Sequence, residues 1–417
     1  MRSIGRVHLL ALAAGGCLCL AASSAGAHSP ALGCGATLTK NTTLTADILH
    51  CSGTALVIGA DGITVNLAGH TISGINAAGS EGIANDGHAG VQIVGSGKIS
   101  DFRLNGVGMR EAPESVVRGL TIRCIGAGGV EGEPVSAGIA ILDSPGSQII
   151  GNDVANAVEA YQADGADVIN SGGSVVRGNS LSRNSWDGLA LLASPASRIT
   201  GNQLDANGNN GTEVNGGSDG VTVAGNSADD NQLFGIVVGA AQKARVVGNS
   251  ARRNDTGLFF FDLHASLIAE NSATANRSGL ELTGGQFGSD GNRLSDNTAN
   301  RNLESGLGVV DGANANFVSG NTANGNQGQN GDGGGIYVVA ASGNQLSGNV
   351  ANANLDTGIL IAEGEPGDTT GNSLKRNTAN QNRGHGIDAV AGSVDGGGNR
   401  ASGNATPPQC LNVNCAG

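Results

Sequence analysis

Residues 374–390 read LKRNTANQNRGHGIDAV, with asparagine at 377, 380 and 382 and a glycine just before a short apolar alternation. Asparagine is a poor builder of both helix and sheet. A chain that returns to it at intervals is using it for something else. Aligned on Asn377, the same pattern recurs upstream as VVRGNSLSRN (175–184), RITGNQLDAN (198–207), RVVGNSARRN (245–254), RLSDNTANRN (293–302) and FVSGNTANGN (317–326). The anchors are Asn152, Asn179, Asn202, Asn226, Asn249, Asn271, Asn297, Asn321, Asn349, Asn377 and Asn404. An aliphatic residue stands three before each anchor, and a small or aliphatic one usually stands two after it. A second asparagine usually follows five after. Then come a glycine and an alternation such as GLALL, GVTV, GIVV, GLFFF or GIYVV.

Each repeat thus holds three short two-residue alternations separated by turns, with no helical periodicity. One such unit cannot bury its own apolar face, whereas parallel stacking of copies builds a continuous core. At about 4.8 Å per strand the eleven coils would extend roughly 50 Å. The asparagines are expected at the corners, in the left-handed backbone region that Asn tolerates better than any residue except Gly. Stacked side chains there would hydrogen-bond along the column. Leucine-rich repeats need a denser leucine pattern. Left-handed β-helices need strict hexapeptides, and the variable step breaks that. Calcium-binding nonapeptides are echoed by NGGSDGVTV (215–223), but nothing tandem follows it.

The composition agrees with a thin core. With 72 glycines, 39% hydrophobic residues and 2% aromatics in 417 residues, the chain lacks the large side chains of a globular interior. The formal charge of −13 argues against nucleic acid as a partner. It also predicts repulsion of polyanions such as pectate or alginate unless Ca2+ bridges them, so a neutral glycan, or no ligand, fits better.

The first thirty residues place Arg2 and Arg6 before an apolar run and Ala25-Gly26-Ala27, the layout of an export signal cut after Ala27. The expected organisation is a signal peptide at 1–27, an N-terminal cap at 28–60, the solenoid at 61–405 and a tail at 406–417. The protein is expected to be a secreted or periplasmic or cell-surface monomer, with no transmembrane segment in the mature chain. Export permits disulfides. Cys34–Cys51 and Cys410–Cys415 bracket short segments at the two ends, where a linear fold frays, and these are the expected bridges. Cys124 is left over as a buried thiol. No cysteine spacing resembles a zinc site, and neither a metal nor a cofactor is expected.

The repeat, together with Asn66 and the LAGHTI run at 67–72, resembles the right-handed parallel β-helix superfamily, the pectin-lyase-like fold. More narrowly, it is similar to the bacterial exported β-helix repeat proteins that include the copper-binding maturation protein of nitrous oxide reductase. The resemblance implies an all-β chain forming a single right-handed parallel β-helix with an Asn ladder. It leaves the chemistry open, because the superfamily holds lyases, hydrolases, epimerases and adhesins. It also implies that a substrate lies along one sheet face, taken here as the one after each glycine. Its outward row reads Ala190, Thr222, Val237, Phe259, Glu281, Gly308, Tyr337, Leu360 and Asp388. In its middle, GLFFFDLHA (257–265) offers Phe259, Phe261 and Tyr337 as a sugar-binding surface and Asp262, His264 and Glu281 as acid–base groups. Asp187, His385 and Asp388 are lesser candidates, and His70 and His88 read as turn residues. A copper-delivery role would call for clustered Met, His or Cys, yet Met1 and Met109 both lie outside the repeats. Two functions follow: binding or processing of a carbohydrate polymer by a lyase, hydrolase or epimerase, or a non-catalytic exported scaffold.

Overall fold

The computed structural model describes residues 32–126, 136–156, 162–328, 334–365 and 368–416. The chain divides into two compact units, residues 1–31 and 32–417. The export signal expected at 1–27 lies outside the described residues. Among the described residues of the second unit every regular element is a strand, and no helix is long and apolar enough to cross a membrane.

The strands form a right-handed parallel solenoid of about 15 turns. A first sheet of sixteen strands runs from Ala36–Leu38 to Cys410–Leu411, and a second of fifteen runs from Thr42–Thr43 to Val394–Asp395. The third begins as six strands, Ile48–Cys51 to Ser180–Leu181. It continues through isolated bridges and the strands Ser227–Asp229, Ser250–Arg252 and Ser272–Thr274. Each strand pairs with its equivalent one coil away. Leu258, for example, partners Ile236 on one side and Leu280 on the other, and all three are buried. Columns of Ile, Val and Leu from all three sheets merge into one core.

The glycine before each first-sheet strand is there for closeness rather than for an unusual φ. A Cβ on Gly235 would lie 2.5 Å from the Gly257 carbonyl oxygen, 2.8 Å from Ala251 Cβ and 2.9 Å from Asn254 Nδ2. The alanine two after each anchor from Asn226 to Asn377 exists for the same reason, since Ala251 and its equivalents leave room for that corner.

The asparagines form two long buried ladders. Asn202 donates its backbone N–H and its Nδ2 to Asn226 Oδ1, at 2.9 and 3.0 Å, and Nδ2 also to the Val176 carbonyl at 3.0 Å. Asn207 does the same with Asn231 Oδ1 and the Leu181 carbonyl. The left-handed corner is not the asparagine itself, however. It is the residue before it, as at Gly201 (φ 61), Ala206 (φ 58), Arg253 (φ 56) and Glu270 (φ 56). That residue turns the chain, and the turn aims the following amide along the solenoid, where it satisfies donors and acceptors that the corner would otherwise bury unpaired. A second correction concerns Asn404. It accepts from Asn382 and belongs to the second ladder, while Asn377 donates to Asn399. Asn399 and Asn404 are five residues apart, as Asn377 and Asn382 are, so the first-ladder position of the last coil is Asn399.

The parallel pairing already includes Ala36–Leu38 with Leu56–Ile58, within the segment expected as a cap, and it reaches Cys410–Leu411 in the tail. Cys34 is bonded to Cys51 and Cys410 to Cys415, while Cys124 is a buried thiol outside both bridges.

Candidate functional site

The outer face of the first sheet carries three kinds of side chain at each coil. One stands just before the glycine, one two residues after it and one four after it. In the coil of Ala163–Ile169 these are Asp164, Asp167 and Ile169. In the next two coils the first two positions hold Asp187 and Ala190, then Asn210 and Glu213. Thr222, placed in this row from sequence, belongs to the second sheet, and Glu213 takes its place between Ala190 and Val237. The coil contains two Gly-apolar alternations, Gly211-Thr212-Glu213-Val214 and Gly220-Val221-Thr222-Val223, and only the first follows a ladder asparagine (Asn207) at the usual interval.

This register gathers acids. Asp164 is 4% exposed, Asp167 7% and Asp187 2%. Asp164 Oδ1 accepts the Asp187 N–H at 2.7 Å, and Asp187 Oδ1 accepts the Asn210 N–H at 2.8 Å and the Asn209 amide at 2.9 Å. Asp164 and Asp187 therefore act as corner acceptors where an asparagine would serve. Asp167 does not, for its Oδ1 is buried and has no hydrogen-bond partner. Burial, and then the adjacent Asp167 carboxyl, hold Asp164 well above the usual carboxylate range. Burial also raises Asp167 to about 6, opposed by its hydrogen bond with Asp164. Asp187 is pushed up to about 7, again by burial first, with the charges of Glu213 and Asp167 adding to it and the hydrogen bonds from Asn210 and Asn209 opposing. Carboxyls sharing a dry site cannot all ionise, so protons are retained here near neutral pH.

An aromatic cluster adjoins the acids. Glu213 is the register partner of Val237, and Val237 of Phe259. Phe234 stacks on Phe259 with centroids 4.7 Å apart and planes 7° apart, and Phe261 tilts against Phe259 at 5.9 Å. Phe261 lies back over Gly239 and Tyr337 over Gly308, places in the outward rows where any Cβ would enter the ring. Phe259 and Phe261 stay half-buried, whereas Tyr337 is buried and donates its hydroxyl to Glu281 Oε2 at 3.2 Å.

The residues read from sequence as acid–base groups have separate surroundings. Glu281 sits on this face beside Phe259. Asp262, at a left-handed bend (φ 47), accepts the Phe287 N–H at 2.6 Å and so holds the turn after Ser278–Thr283. His264 closes the strand five residues beyond Phe259. His70 and His88 meet Asp47 and Asp61 at turns, and His385 meets the Pro408 carbonyl. Sequence reasoning missed Asp164, Asp167 and Glu213, and only Asp187 was singled out. The signal was available in DGADV (164–168), where an acid occupies the outward place after Gly165, one coil before the aligned series began.

A family model described as "Periplasmic copper-binding protein (NosD)" matches residues 91–288 and 287–404. The chain belongs to that family. The match covers most of the solenoid, including the acidic and aromatic coils. No curated protein matches the chain. Among solved structures it is similar to the periplasmic alginate epimerase AlgG, at 14% identity over 87% of this chain and 78% of that one, with a TM-score of 0.45. The A-module of the mannuronan C-5 epimerase AlgE4 of Azotobacter vinelandii gives 14%, 88%, 91% and 0.42. A mutant DFA-IIIase of Arthrobacter chlorophenolicus A6 in complex with DFA-III gives 14%, 76%, 84% and 0.48. These likenesses concern the fold alone.

The family's description raises copper, and the donors here do not fit it. Copper sites draw on clustered imidazole, thiolate and thioether ligands. Among the described residues no three His, Cys, Asp or Glu side chains are placed to hold a metal ion. Met109 is fully buried, with its sulfur against the Asn85 amide at 3.5 Å.

Proposed function

We propose that this exported β-helix protein binds and processes a neutral carbohydrate polymer along the outer face of the first sheet. The observation that carries the reading is Asp167, a buried carboxyl with an unpartnered oxygen in the outward row, paired with Asp164. The pair keeps a proton near neutral pH and serves as the general acid to a glycosidic oxygen. Glu213 stands two coils away in the same row, past the small Ala190, and is half-buried rather than enclosed. Two strand spacings separate the backbones by about 10 Å, close to the wider carboxyl separation that lets a water attack from the opposite side of the sugar. Glu213 takes the proton of that water as the Asp167 pair releases its own to the leaving hydroxyl, so the products are two shorter chains. Phe259 and Phe261 hold a neighbouring sugar ring, and Glu281, with Tyr337, hydrogen-bonds its hydroxyls.

The test is release of reducing ends from a panel of neutral polysaccharides. Asp167→Asn is expected to lower the rate by about 100-fold or more, with the melting midpoint kept. The wild-type rate should fall as pH rises past about 6, where Asp167 loses its proton. If no neutral polymer is cleaved and none is bound, the non-catalytic scaffold reading replaces this one.

A further inference from the structure

The second sheet has the opposite electrical character. Its strands carry Arg118, Arg177, Arg198, Arg245, Arg293 and Lys375, all exposed, and their one carboxylate is Asp395 in the last strand. The first sheet's strands include Glu81, Asp164, Asp167, Glu213, Glu281 and Asp388 against one arginine, Arg110. Arg110 is spent on Glu81 and Asp86, and Arg123, Arg253 and Arg277 are also in ion pairs. None of the six second-sheet cations has an ion-pair partner among the described residues.

Their spacing is regular. Arg198, Arg245 and Arg293 occupy one outward column at every second coil, separated by Thr222 and Leu267. Arg118 and Arg177 occupy the neighbouring column, also two coils apart, separated by Ile150. Two strand spacings make each step about 10 Å, and Arg118 to Arg293 spans seven coils, roughly 34 Å. Across the strands the two columns are only about 7 Å apart. The track is therefore long and narrow.

We propose that this track binds a linear anionic polysaccharide, carboxylated or sulfated, lying along the solenoid axis. Guanidinium groups grip carboxylate and sulfate through paired N–H donors and stay charged at any physiological pH. The small Thr200, Ala224, Ser319 and Ser347 let a polymer approach the sheet, and exposed Phe317, next to Arg293, offers a stacking face. A flat anionic membrane fits less well. Exposed Asp219, Glu270 and Asp296 stand at the edges of the track and would face a planar surface, whereas a single polymer chain passes between them.

The experiment is calorimetric titration of the full chain with sodium polyguluronate at low ionic strength. Binding is expected to weaken about tenfold or more on moving to physiological salt. The variant Arg198→Gln/Arg245→Gln/Arg293→Gln should lose at least as much again, with circular dichroism and melting unchanged. Arg118→Gln/Arg177→Gln, at the other end of the track, should show a smaller loss in the same direction. Asp167→Asn, which disables the proposed acid site, should bind polyguluronate as wild type does, so the two readings fail separately. The proposal is overturned by no binding at low salt, by equal binding of the triple variant, by stronger binding to phosphatidylglycerol vesicles than to polyguluronate, or by self-association of the chain through this face.

Discussion

A ladder asparagine is the smallest unit of this fold, and its value lies in counting donors and acceptors. Asn249 gives its N–H and Nδ2 to Asn271, passes Nδ2 to the Val223 carbonyl, and receives both donors of Asn226. Replacing it with alanine leaves buried N–H and carbonyl groups unpaired, at a cost of about 2–3 kcal/mol. Asn249→Ala should therefore lower the urea midpoint clearly, while the same change at a half-buried asparagine outside the two ladders, Asn300, should lower it much less. The repeat made these asparagines visible at once. Which residue carries the left-handed φ was less plain, because Gly stands before most anchors while Glu270, Asp296 and Arg376 hold the same place in other coils. Glycine at the strand entrance gives a complementary case. Gly257→Ala puts a methyl within 3 Å of Asn276 Nδ2, Ala273 Cβ and the Gly279 carbonyl, and should destabilise as overpacking does, by about 1–3 kcal/mol.

At the scale of a coil, the question is which outward residues become neighbours. Parallel register places residue i beside its equivalent one coil on, so a single misassigned segment moves a chemical group to another face. Thr222 and Glu213 show this, since one coil offers two glycine-led alternations and only the one that follows Asn207 at the usual interval joins the first sheet. The aromatic half of the site was legible, because GLFFFDL stands out in a chain so poor in rings. The acid half was not, because Asp164 and Asp187 precede a glycine, where strict alternation would point them inward. The corner at that glycine instead turns them onto the outer face with Asp167. Phe259 is held by Phe234, stacked on it, and by Phe261, tilted against it, so it is an ordered platform before any ligand arrives. Phe259→Ala should weaken binding of a neutral oligosaccharide about tenfold, equivalent to about 1.4 kcal/mol, in a titration with Asp167→Asn as the non-turnover background. An unchanged affinity would remove the ring from the site.

For the whole molecule, charge placement and proton retention dominate. Asp167 and Asp187 have folded values of about 6 and about 7, above the ordinary carboxylate value they regain on unfolding. Between pH 4 and 7 the folded chain therefore holds protons that the unfolded chain has released. Stability from this source is fully present below pH 4, declines as pH rises, and is gone above about 7. Denaturation midpoints should fall across that window. Asp187→Asn, which can still accept from Asn210 and Asn209, should flatten the decline and be the more stable protein at pH 8. The net charge of −13 suggested repulsion of every polyanion, yet cations and acids are sorted onto different sheets, and a polymer within a Debye length of one face responds to that face.

The sequence by itself determined the solenoid, its asparagine columns and the aromatic stretch, because a period that repeats eleven times can satisfy its backbone and bury its apolar residues in only one way. The tertiary structure alone decided that Asp164, Asp167, Asp187 and Glu213 meet, and that the second sheet bears an unpaired row of arginines. Apart from Asp164 and Asp167, which share one strand, those residues lie on different coils, and their proximity depends on a register written in hydrogen bonds between strands rather than in any local pattern of residues.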